Sequence, residues 1–220
     1  MNILDQLQSI GAVFLDQHFV YKSGKHGPGY ICMDPIYADP VRLSGLVTSL
    51  LEPFGLEFDI ISAPATGGVA LASTASNWLL HKKGLNIPAL WADKDGKEFV
   101  VDRLGFPDGI KGKRVLIVED LLTTGSSVKG TIAAVKTCDG EVVGLSAVCN
   151  RGGVTAGQIG VPRLEQLTEV NFDAYEPDDC PLCAACEPIV VDGALGHGAA
   201  YREEHPNYAG DFVELLRPAV

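Results

Sequence analysis

Short apolar runs alternate with amphipathic segments over much of the sequence. Apolar residues at helical spacing predict helices at residues 3–10, 46–51, 69–80 and 128–135. Continuous apolar runs predict buried strands at 59–63, 87–92, 114–118 and 142–149, and a weaker pattern predicts one at 169–172. Apolar strands that alternate with helices are typical of a parallel sheet covered by helices on both faces, which is an α/β fold.

Ligands of such sheets bind where the carboxyl ends of the strands meet. The loops expected at that edge are 64–68, 93–113, 119–127 and 150–153. Residues 93–113 are many for one loop of a compact domain, and they include four Gly and four Lys. We predict that this loop is a lid that closes over the ligand.

Composition narrows the function classes. The 220 residues carry a net charge of −11, so the chain has no general attraction for nucleic acid or anionic membranes. No apolar stretch approaches the roughly 20 residues that span a bilayer, and the N-terminus lacks the cationic flank of a signal peptide. We therefore expect a cytoplasmic protein without nucleic-acid or membrane partners, in which a few placed groups hold any polyanionic ligand.

Residues 115–127, VLIVEDLLTTGSS, carry the strongest chemical signal. A buried strand is followed by Glu119 and Asp120, and a hydroxyl-rich turn with Gly125 then opens a helix. The unpaired N–H groups of a helix start bind phosphate, whereas paired carboxylates suit sugar hydroxyls or a hydrated divalent metal. A helix cap needs only one polar side-chain oxygen, so capping alone does not account for two acids and four hydroxyls in this segment. Thr131 stands where a P-loop requires Lys, so a P-loop nucleotide triphosphatase is not indicated.

This segment resembles the phosphoribosyl pyrophosphate (PRPP) signature of type I phosphoribosyltransferases. Further segments resemble the members of that family that use orotate, and they follow in the same order along most of the chain. They are residues 21–25 with Pro28 and Tyr30, Lys94 and Lys97 after a strand, and Asn150 with Arg151.

The resemblance implies a fold and a reaction. The fold is a central parallel sheet flanked by helices, with a small N-terminal hood. These enzymes transfer ribose 5-phosphate from PRPP to orotate, giving orotidine 5′-monophosphate and pyrophosphate for pyrimidine biosynthesis. They use Mg²⁺, and they form homodimers in which the mobile loop of one subunit closes on the active site of the other.

The resemblance also implies a role for each matching residue. Lys97 and Asp120 are the expected catalytic residues, and Mg²⁺ is expected to be held through the pyrophosphate of the substrate. The expected PRPP contacts are Lys22, Lys94, Lys97, Glu119, Asp120, Thr123, Thr124, Gly125, Ser126 and Ser127, with Thr66 and Gly67 forming the pyrophosphate loop. The expected orotate contacts are Tyr30, Ile31, Thr123 and Arg151, whose guanidinium suits a planar carboxylate.

Two positions depart from the family pattern. Asp93 stands where members carry an Arg against the pyrophosphate, and Phe99 stands where His or Tyr is usual. Three interpretations of these departures are open: an altered rate, a compensating cation such as Lys25 or Arg103, or a different base. The alternatives are therefore a phosphoribosyltransferase for a purine or another base, and a non-catalytic PRPP-binding regulator. Such regulators usually carry a partner-binding module, and the sequence shows none.

The resemblance covers the chain to about residue 172, so we expect a hood at 1–40, a core at 41–175 and a C-terminal extension at 176–220. The extension is expected to pack on the core or on a partner subunit. It contains Cys180, Cys183 and Cys186, and Cys-x₂-Cys is a common half of a zinc site. The second half is only loosely present, in His197 and His205. A structural zinc ion and an unliganded or redox-sensitive Cys turn therefore remain as interpretations.

Overall fold

The structure is a computed structural model, and it describes residues 2–215. Met1 of the expected hood and residues 216–220 of the expected extension lie outside the described residues. The chain divides into two units. The larger unit is Asp39–Val170, and the smaller unit combines the segment up to Ala38 with the segment from Asn171 onward.

The N-terminal part of the smaller unit consists of short elements. Asn2 caps the first helix, because its side chain accepts a hydrogen bond from the N–H of Asp5 while the Asp5 carboxylate accepts one from the N–H of Asn2. The elements are α1 (Ile3–Ser9), β1 (Val13–Phe14), β2 (Phe19–Val20), β3 (His26–Gly27), β4 (Tyr30–Ile31) and α2 (Asp34–Tyr37). Strand β1 pairs antiparallel with β4, and β2 pairs antiparallel with β3.

The larger unit contains a six-stranded sheet with helices between its strands. Its elements are α3 (Pro40–Leu51), β5 (Ile60–Pro64), α4 (Gly67–Lys83), β6 (Ala89–Asp95), β7 (Glu98–Val100), α5 (Phe106–Ile110), β8 (Arg114–Leu122), α6 (Ser126–Thr137), β9 (Glu141–Asn150), α7 (Ala156–Ile159) and β10 (Leu164–Glu169). The strand order is β10-β9-β8-β5-β6-β7, and every pairing is parallel except that of β6 with β7. The predicted α/β class is confirmed.

The core of the larger unit explains why the spacing of apolar residues predicted its main helices and strands. Strand β5 is buried along its whole length, and Val115, Ile117 and Leu145 of the neighbouring strands are fully buried. Helix α6 contributes Val128 and Val135 to the same core. Helices α1, α3, α4 and α6 cover the segments in which helical spacing was found.

Three local predictions are wrong. The last of the predicted strands was expected at 169–172, whereas the structure has β10 at Leu164–Glu169. This edge strand is half-buried and contains polar residues, which obscure its pattern. Strand β8 continues to Leu122 instead of ending at residue 118, since its pairing with β9 persists to that point. Residues 93–113 are not one irregular loop: they contain the end of β6, all of β7 and helix α5.

The C-terminal segment packs with the N-terminal segment inside the smaller unit. Its elements are α8 (Pro181–Ala184), β11 (Ile189–Val190), α9 (Gly198–Glu204) and β12 (Phe212–Val213), with β11 and β12 parallel. Isolated bridges join His18 to Ile189 and His26 to Tyr175. The apolar centre of this unit is formed by Phe19, Tyr21, Val190 and Leu195. None of the helices in residues 2–215 has the length and apolar character needed to cross a membrane.

Candidate active site

The carboxyl ends of the parallel strands bring the predicted residues of the larger unit to one edge of the sheet. Strand β8 lies between β5 and β9, and β6 lies beside β5. The last residues of β6 and β8 include Lys94 and the acidic doublet, and the ends of β5, β8 and β9 lead into Thr66 and Gly67, the hydroxyl turn, and Arg151. This is the edge at which α/β sheets bind ligands.

The turn between β8 and α6 has the geometry of an anion site. Gly125 precedes the helix with a φ of +71°, and a Cβ at this position would lie 2.7 Å from Cγ2 of Ile159. The N-cap residue of α6 is Gly125, which has no side chain to cap the helix, and the first N–H groups of a helix have no intrahelical partner. The Oγ1 of Thr124 accepts from the N–H of Ser126 at 3.3 Å, which shapes the turn. A polar cavity is lined by Glu119, Leu121, Leu122, Thr123, Thr124, Gly125, Ser126, Ser127 and Val128.

The two acids belong to the strand itself, not to a loop after it. Glu119 is 6% exposed, and its Oε1 accepts from the N–H of Asp120 at 3.1 Å. Burial raises the pKa of Glu119 well above its usual 4.5, and the charge of Asp120 raises it further. Asp120 is half-buried, and its Oδ1 accepts from the N–H of Leu121 at 2.7 Å. The two carboxyl groups therefore differ in environment, with Asp120 the more accessible one.

Asn150 fixes the loop that carries Arg151. Its side-chain amide donates to the carbonyl of Val154 at 2.9 Å, and its Oδ1 accepts from the N–H of Val154 at 3.0 Å. The N–H of Arg151 donates to the carbonyl of Leu122 at 2.7 Å, beside the β8–α6 turn. A Cβ on Gly152 would lie 1.7 Å from the carbonyl oxygen of Thr123, so only glycine allows this approach. Arg151 and Thr123, both predicted orotate contacts, are thus held on adjoining loops.

Sequence reasoning treated Asn150 only as the neighbour of Arg151 and missed its positioning role. The signal was an Asn at the carboxyl end of a strand before a Gly-Gly pair, because Asn side chains bind loop backbone in such turns.

Thr66 and Gly67 stand at the end of β5, at the start of the 17-residue helix α4. A Cβ on the following Gly68 would lie 2.7 Å from the Cβ of Ala63, so glycine lets this helix start close to its strand. Thr66 is exposed, and its side chain makes no cap hydrogen bond to the described helix. The predicted pyrophosphate loop, Thr66 and Gly67, is therefore the start of a helix. It lies beside the β8–α6 turn, because β5 and β8 are paired.

Lys94 and Lys97 lie on the β6–β7 hairpin, and both are exposed. Lys97 is at the tip next to Gly96, which has a φ of +59°. Phe99, opposite Lys94 in the register, packs on the core beside Gly130 of α6. The residue that departs from the family pattern therefore anchors the hairpin to the larger unit.

Both candidates for a compensating cation, Arg103 and Lys25, are paired with an acidic residue. Arg103 donates two hydrogen bonds to the Asp93 carboxylate, Nε to Oδ2 at 2.5 Å and Nη2 to Oδ1 at 2.9 Å. In the smaller unit, Nζ of Lys25 lies 2.8 Å from Oε1 of Glu176. The Arg103 guanidinium lowers the pKa of Asp93, which keeps that group an anion.

The remaining predicted contacts belong to the smaller unit. Lys22 is exposed in the turn after β2. Tyr30 is half-buried in β4, with its ring centroid 5.4 Å from that of Phe19, and Ile31 is buried.

The expected cysteine cluster is only partly correct. Cys180 and Cys183 come together with His18 and His26, and one potential ligand atom from each of these four residues lies within 4.8 Å of the others. Cys186 is exposed and is not a member of this group. His197 and His205, the expected source of a second half, are not members either, because the N-terminal hairpin supplies the two histidines instead.

Comparison with known proteins agrees with this geometry. Residues 42–157 match the phosphoribosyl transferase domain family. The chain is 34% identical to the orotate phosphoribosyltransferase of Caldicellulosiruptor saccharolyticus, over 82% of this chain and 90% of that protein. The crystal structure of orotate phosphoribosyltransferase from Aeropyrum pernix is similar with a TM-score of 0.61 and 25% identity, covering 76% of this chain and 93% of that one. The adenine phosphoribosyltransferase of Rhodothermus marinus shares the fold with a TM-score of 0.56 and 22% identity, over 76% of this chain and 98% of that one.

Proposed function

The chain belongs to the phosphoribosyl transferase family, with orotate phosphoribosyltransferases as relatives at 34% identity, and we propose that it transfers ribose 5-phosphate from PRPP to orotate. The products are orotidine 5′-monophosphate and pyrophosphate, in a step of pyrimidine biosynthesis. The β8–α6 turn is the observation on which this proposal rests most heavily, because it joins an acidic doublet to a helix start with glycine at the N-cap.

In this proposal the turn binds the 5′-phosphate of PRPP. The first N–H groups of α6 and the hydroxyls of Thr123, Thr124, Ser126 and Ser127 donate to its oxygens, and the positive end of the helix dipole adds to the attraction. Asp120 accepts hydrogen bonds from the ribose hydroxyls, with Glu119 behind it. The reacting sugar is thereby held in a fixed position relative to the sheet.

The same acids fit the Mg²⁺ that the family uses with PRPP. Carboxylate and hydroxyl oxygens are the ligands that this ion prefers, and the half-buried Asp120 offers such an oxygen beside the polar cavity. When bound with the substrate, Mg²⁺ supplies positive charge to the leaving pyrophosphate.

Lys97 and Lys94 are proposed to contact the pyrophosphate, with Lys97 as the catalytic residue together with Asp120. The lysines are exposed on a short hairpin with a glycine at its tip, so their ammonium groups can reach a ligand at the sheet edge. Positive charge aimed at the leaving group stabilises a transition state in which negative charge collects there. Thr66 and Gly67 supply the adjoining helix start.

Arg151 is proposed to pair with the carboxylate of orotate, and Thr123 to complete the base site. The support is the Asn150 network, which holds the Arg151 loop against Thr123. From the smaller unit we propose Lys22 for the pyrophosphate and the backbone at Tyr30 and Ile31 for the base, on the family resemblance alone. The same resemblance supports a cytoplasmic homodimer with shared active sites.

The experiment is a pyrophosphate-release assay with Mg²⁺ and PRPP, in which orotate, adenine, hypoxanthine and uracil are supplied separately. Orotate should be consumed far faster than the other bases. Arg151→Ala should raise the KM for orotate with little change in that for PRPP, and Arg163→Ala, an exposed arginine paired with Glu165, is the matched control. Faster turnover with a purine base would show that the enzyme uses purines instead of orotate. If no base led to pyrophosphate release, the proposed catalytic activity would be contradicted.

A further inference from the structure

Four side chains of the smaller unit converge on one point that the proposed reaction does not use. His18 and His26 come from either side of the β2–β3 turn, and Cys180 and Cys183 come from the start of α8. His18, His26 and Cys180 are each at most 3% exposed. A buried set of two imidazoles and two thiols is a rare combination without a metal, because each group brings polar atoms that need partners.

The distances between the four groups match a metal-binding tetrahedron. The Sγ of Cys183 lies 3.2 Å from Nδ1 of His26 and 3.7 Å from Nε2 of His18, and the Sγ of Cys180 lies 3.8 Å from that Nε2. Zinc bonds of about 2.0–2.3 Å at tetrahedral angles place neighbouring ligand atoms roughly 3.3–3.8 Å apart. The two histidine nitrogens are nearer to each other, at 2.8 Å. They would separate by about half an ångström around an ion.

The hydrogen bonds around His18 point its lone pair at the cluster. Its Nδ1 lies 3.0 Å from the carbonyl oxygen of Glu187, an arrangement in which Nδ1 carries the proton and donates it. Its Nε2 is then the unprotonated nitrogen, and it faces the two thiols and His26. A carbonyl that fixes the tautomer in this way is the usual outer partner of a metal-bound histidine. Tyr208 donates to the same carbonyl at 2.7 Å and holds it in place.

Backbone pairing holds the two halves of the group in position. The N–H of His26 donates to the carbonyl of Tyr175 at 2.9 Å, and the N–H of Tyr175 donates back at 2.8 Å. The N–H of Val190 donates to the carbonyl of His18 at 2.9 Å. The ligand atoms therefore stand on paired backbone, although His26 and Cys183 are 157 positions apart in the sequence.

A dication at the centre would stabilise the thiolates of Cys180 and Cys183, because metal coordination favours the deprotonated sulfur. Thiolates and neutral imidazoles are the forms in which Cys and His bind metals.

We propose that His18, His26, Cys180 and Cys183 bind one Zn²⁺ ion, and that this site is structural. Two sulfur and two nitrogen ligands at tetrahedral spacing are the donor set of structural zinc. The four protein ligands complete the tetrahedron and leave no position for a substrate. The ion clips the N-terminal hairpin to the C-terminal segment, so its function is to hold the smaller unit together.

The first test measures metal in the full-length chain, purified under reducing conditions without chelators. Inductively coupled plasma mass spectrometry should find about one zinc per chain. Replacing zinc by Co²⁺ should give the visible bands of tetrahedral cobalt and near-ultraviolet thiolate charge transfer. X-ray absorption at the zinc edge should count two sulfur and two nitrogen neighbours.

Variants then separate the four ligands from their surroundings. Cys183→Ser should weaken zinc binding by at least about 10-fold, whereas Cys186→Ser, three positions further along and exposed, should keep stoichiometric zinc. Because Cys183→Ser could fail to fold, His26→Cys provides a second variant: it replaces one ligand by another and should retain zinc, with a cobalt spectrum shifted toward three sulfurs.

Three results would overturn the site. They are a reduced wild-type chain that holds no zinc and takes up none on titration, equal zinc loss in the Cys183 and Cys186 variants, and a Cys180–Cys183 disulfide in the freshly isolated protein. None of these measurements depends on orotate transfer. Pyrophosphate release by the zinc-loaded wild-type chain tests the proposed reaction separately.

Discussion

The carboxylate of Asp93 accepts two hydrogen bonds from the guanidinium of Arg103, and Cζ of Arg103 lies 5.1 Å from the centre of the Trp91 ring. This pair ties residue 103 to the end of β6. The acid that stands in place of the family's arginine is therefore paired with one of the two candidates for a substitute cation. The departure at position 93 therefore has a structural role in this chain.

Asp93→Ala should release the segment that follows β7. Without its carboxylate partner, Arg103 loses two charge-assisted hydrogen bonds, and the backbone around it should open more often. Hydrogen–deuterium exchange of residues 101–105 should become faster. Asp95→Ala, which removes an exposed acid from the same strand, is the control, and equal protection in both variants would refute the tie.

Gly130 and Phe99 should be energetically coupled. A Cβ on Gly130 would lie 2.4 Å from Cδ2 of Phe99, so Gly130→Ala should destabilise the chain despite the helix propensity of alanine. In a Phe99→Ala background the same change should stabilise by up to about 1 kcal/mol, because only propensity remains. Urea unfolding of the four chains gives the coupling free energy, expected at about 1–3 kcal/mol. A coupling near zero would show that Phe99 does not occupy this position.

Gly125→Ala should damage the phosphate turn. The left-handed backbone costs a non-glycine residue about 1–2 kcal/mol, and the added methyl group would also collide with Ile159. Both the free energy of unfolding and the affinity for PRPP should fall, as measured by urea titration and calorimetry. Gly157→Ala is the control, since a Cβ there meets nothing within 4 Å and leaves the turn intact.

Glu119 should make the stability of the ligand-free chain depend on pH. Its folded pKa is raised above the unfolded value, so the unfolded chain loses this proton first as the pH rises. The contribution of Glu119 to stability is fully present below about pH 4.5 and is lost as the pH rises through its folded pKa. Glu119→Gln should remove this fall in urea titrations across that range. Glu141→Gln, at an exposed glutamate, should leave it in place, and an unchanged pH profile in the Glu119 variant would refute the assignment.

Lys97→Ala should lower kcat far more than PRPP affinity, because its charge is used mainly when the pyrophosphate leaves. A loss of about 100-fold in kcat, with PRPP binding within a few-fold, is expected from steady-state kinetics and calorimetry. Lys136→Ala, at an exposed lysine near the end of α6, is the control. A rise in the dissociation constant of PRPP with unchanged kcat would instead assign Lys97 to ground-state binding.

Local signals made most of the larger unit predictable. Strand β5 is buried throughout, residues 115–118 of β8 form a continuous apolar run, and the hydroxyl turn lies within a single stretch of sequence between β8 and α6. Buried runs and helix starts depend on neighbouring residues, so they can be read without knowing the fold. The half-buried edge strand β10 was misplaced because polar residues interrupt its pattern.

Contacts between distant segments could not be predicted in this way. The Asn150 amide reaches Gln166 as well as Val154, and nothing in a linear pattern specifies that pairing. The histidines of the zinc site could not be predicted for the same reason, because the fold brings His18 and His26 to Cys180 and Cys183 from a distant part of the sequence.

The union of both chain ends in the smaller unit has a consequence for biosynthesis. His18 leaves the ribosome 169 residues before Glu187, whose carbonyl it contacts, so its segment must wait until that later segment has been synthesised. The parallel sheet between them can assemble while translation is still in progress, because all its strands precede Asn171. During that interval the side chains of Phe19 and Tyr21 lack their apolar partners Val190 and Leu195, and such incomplete cores are prone to aggregation.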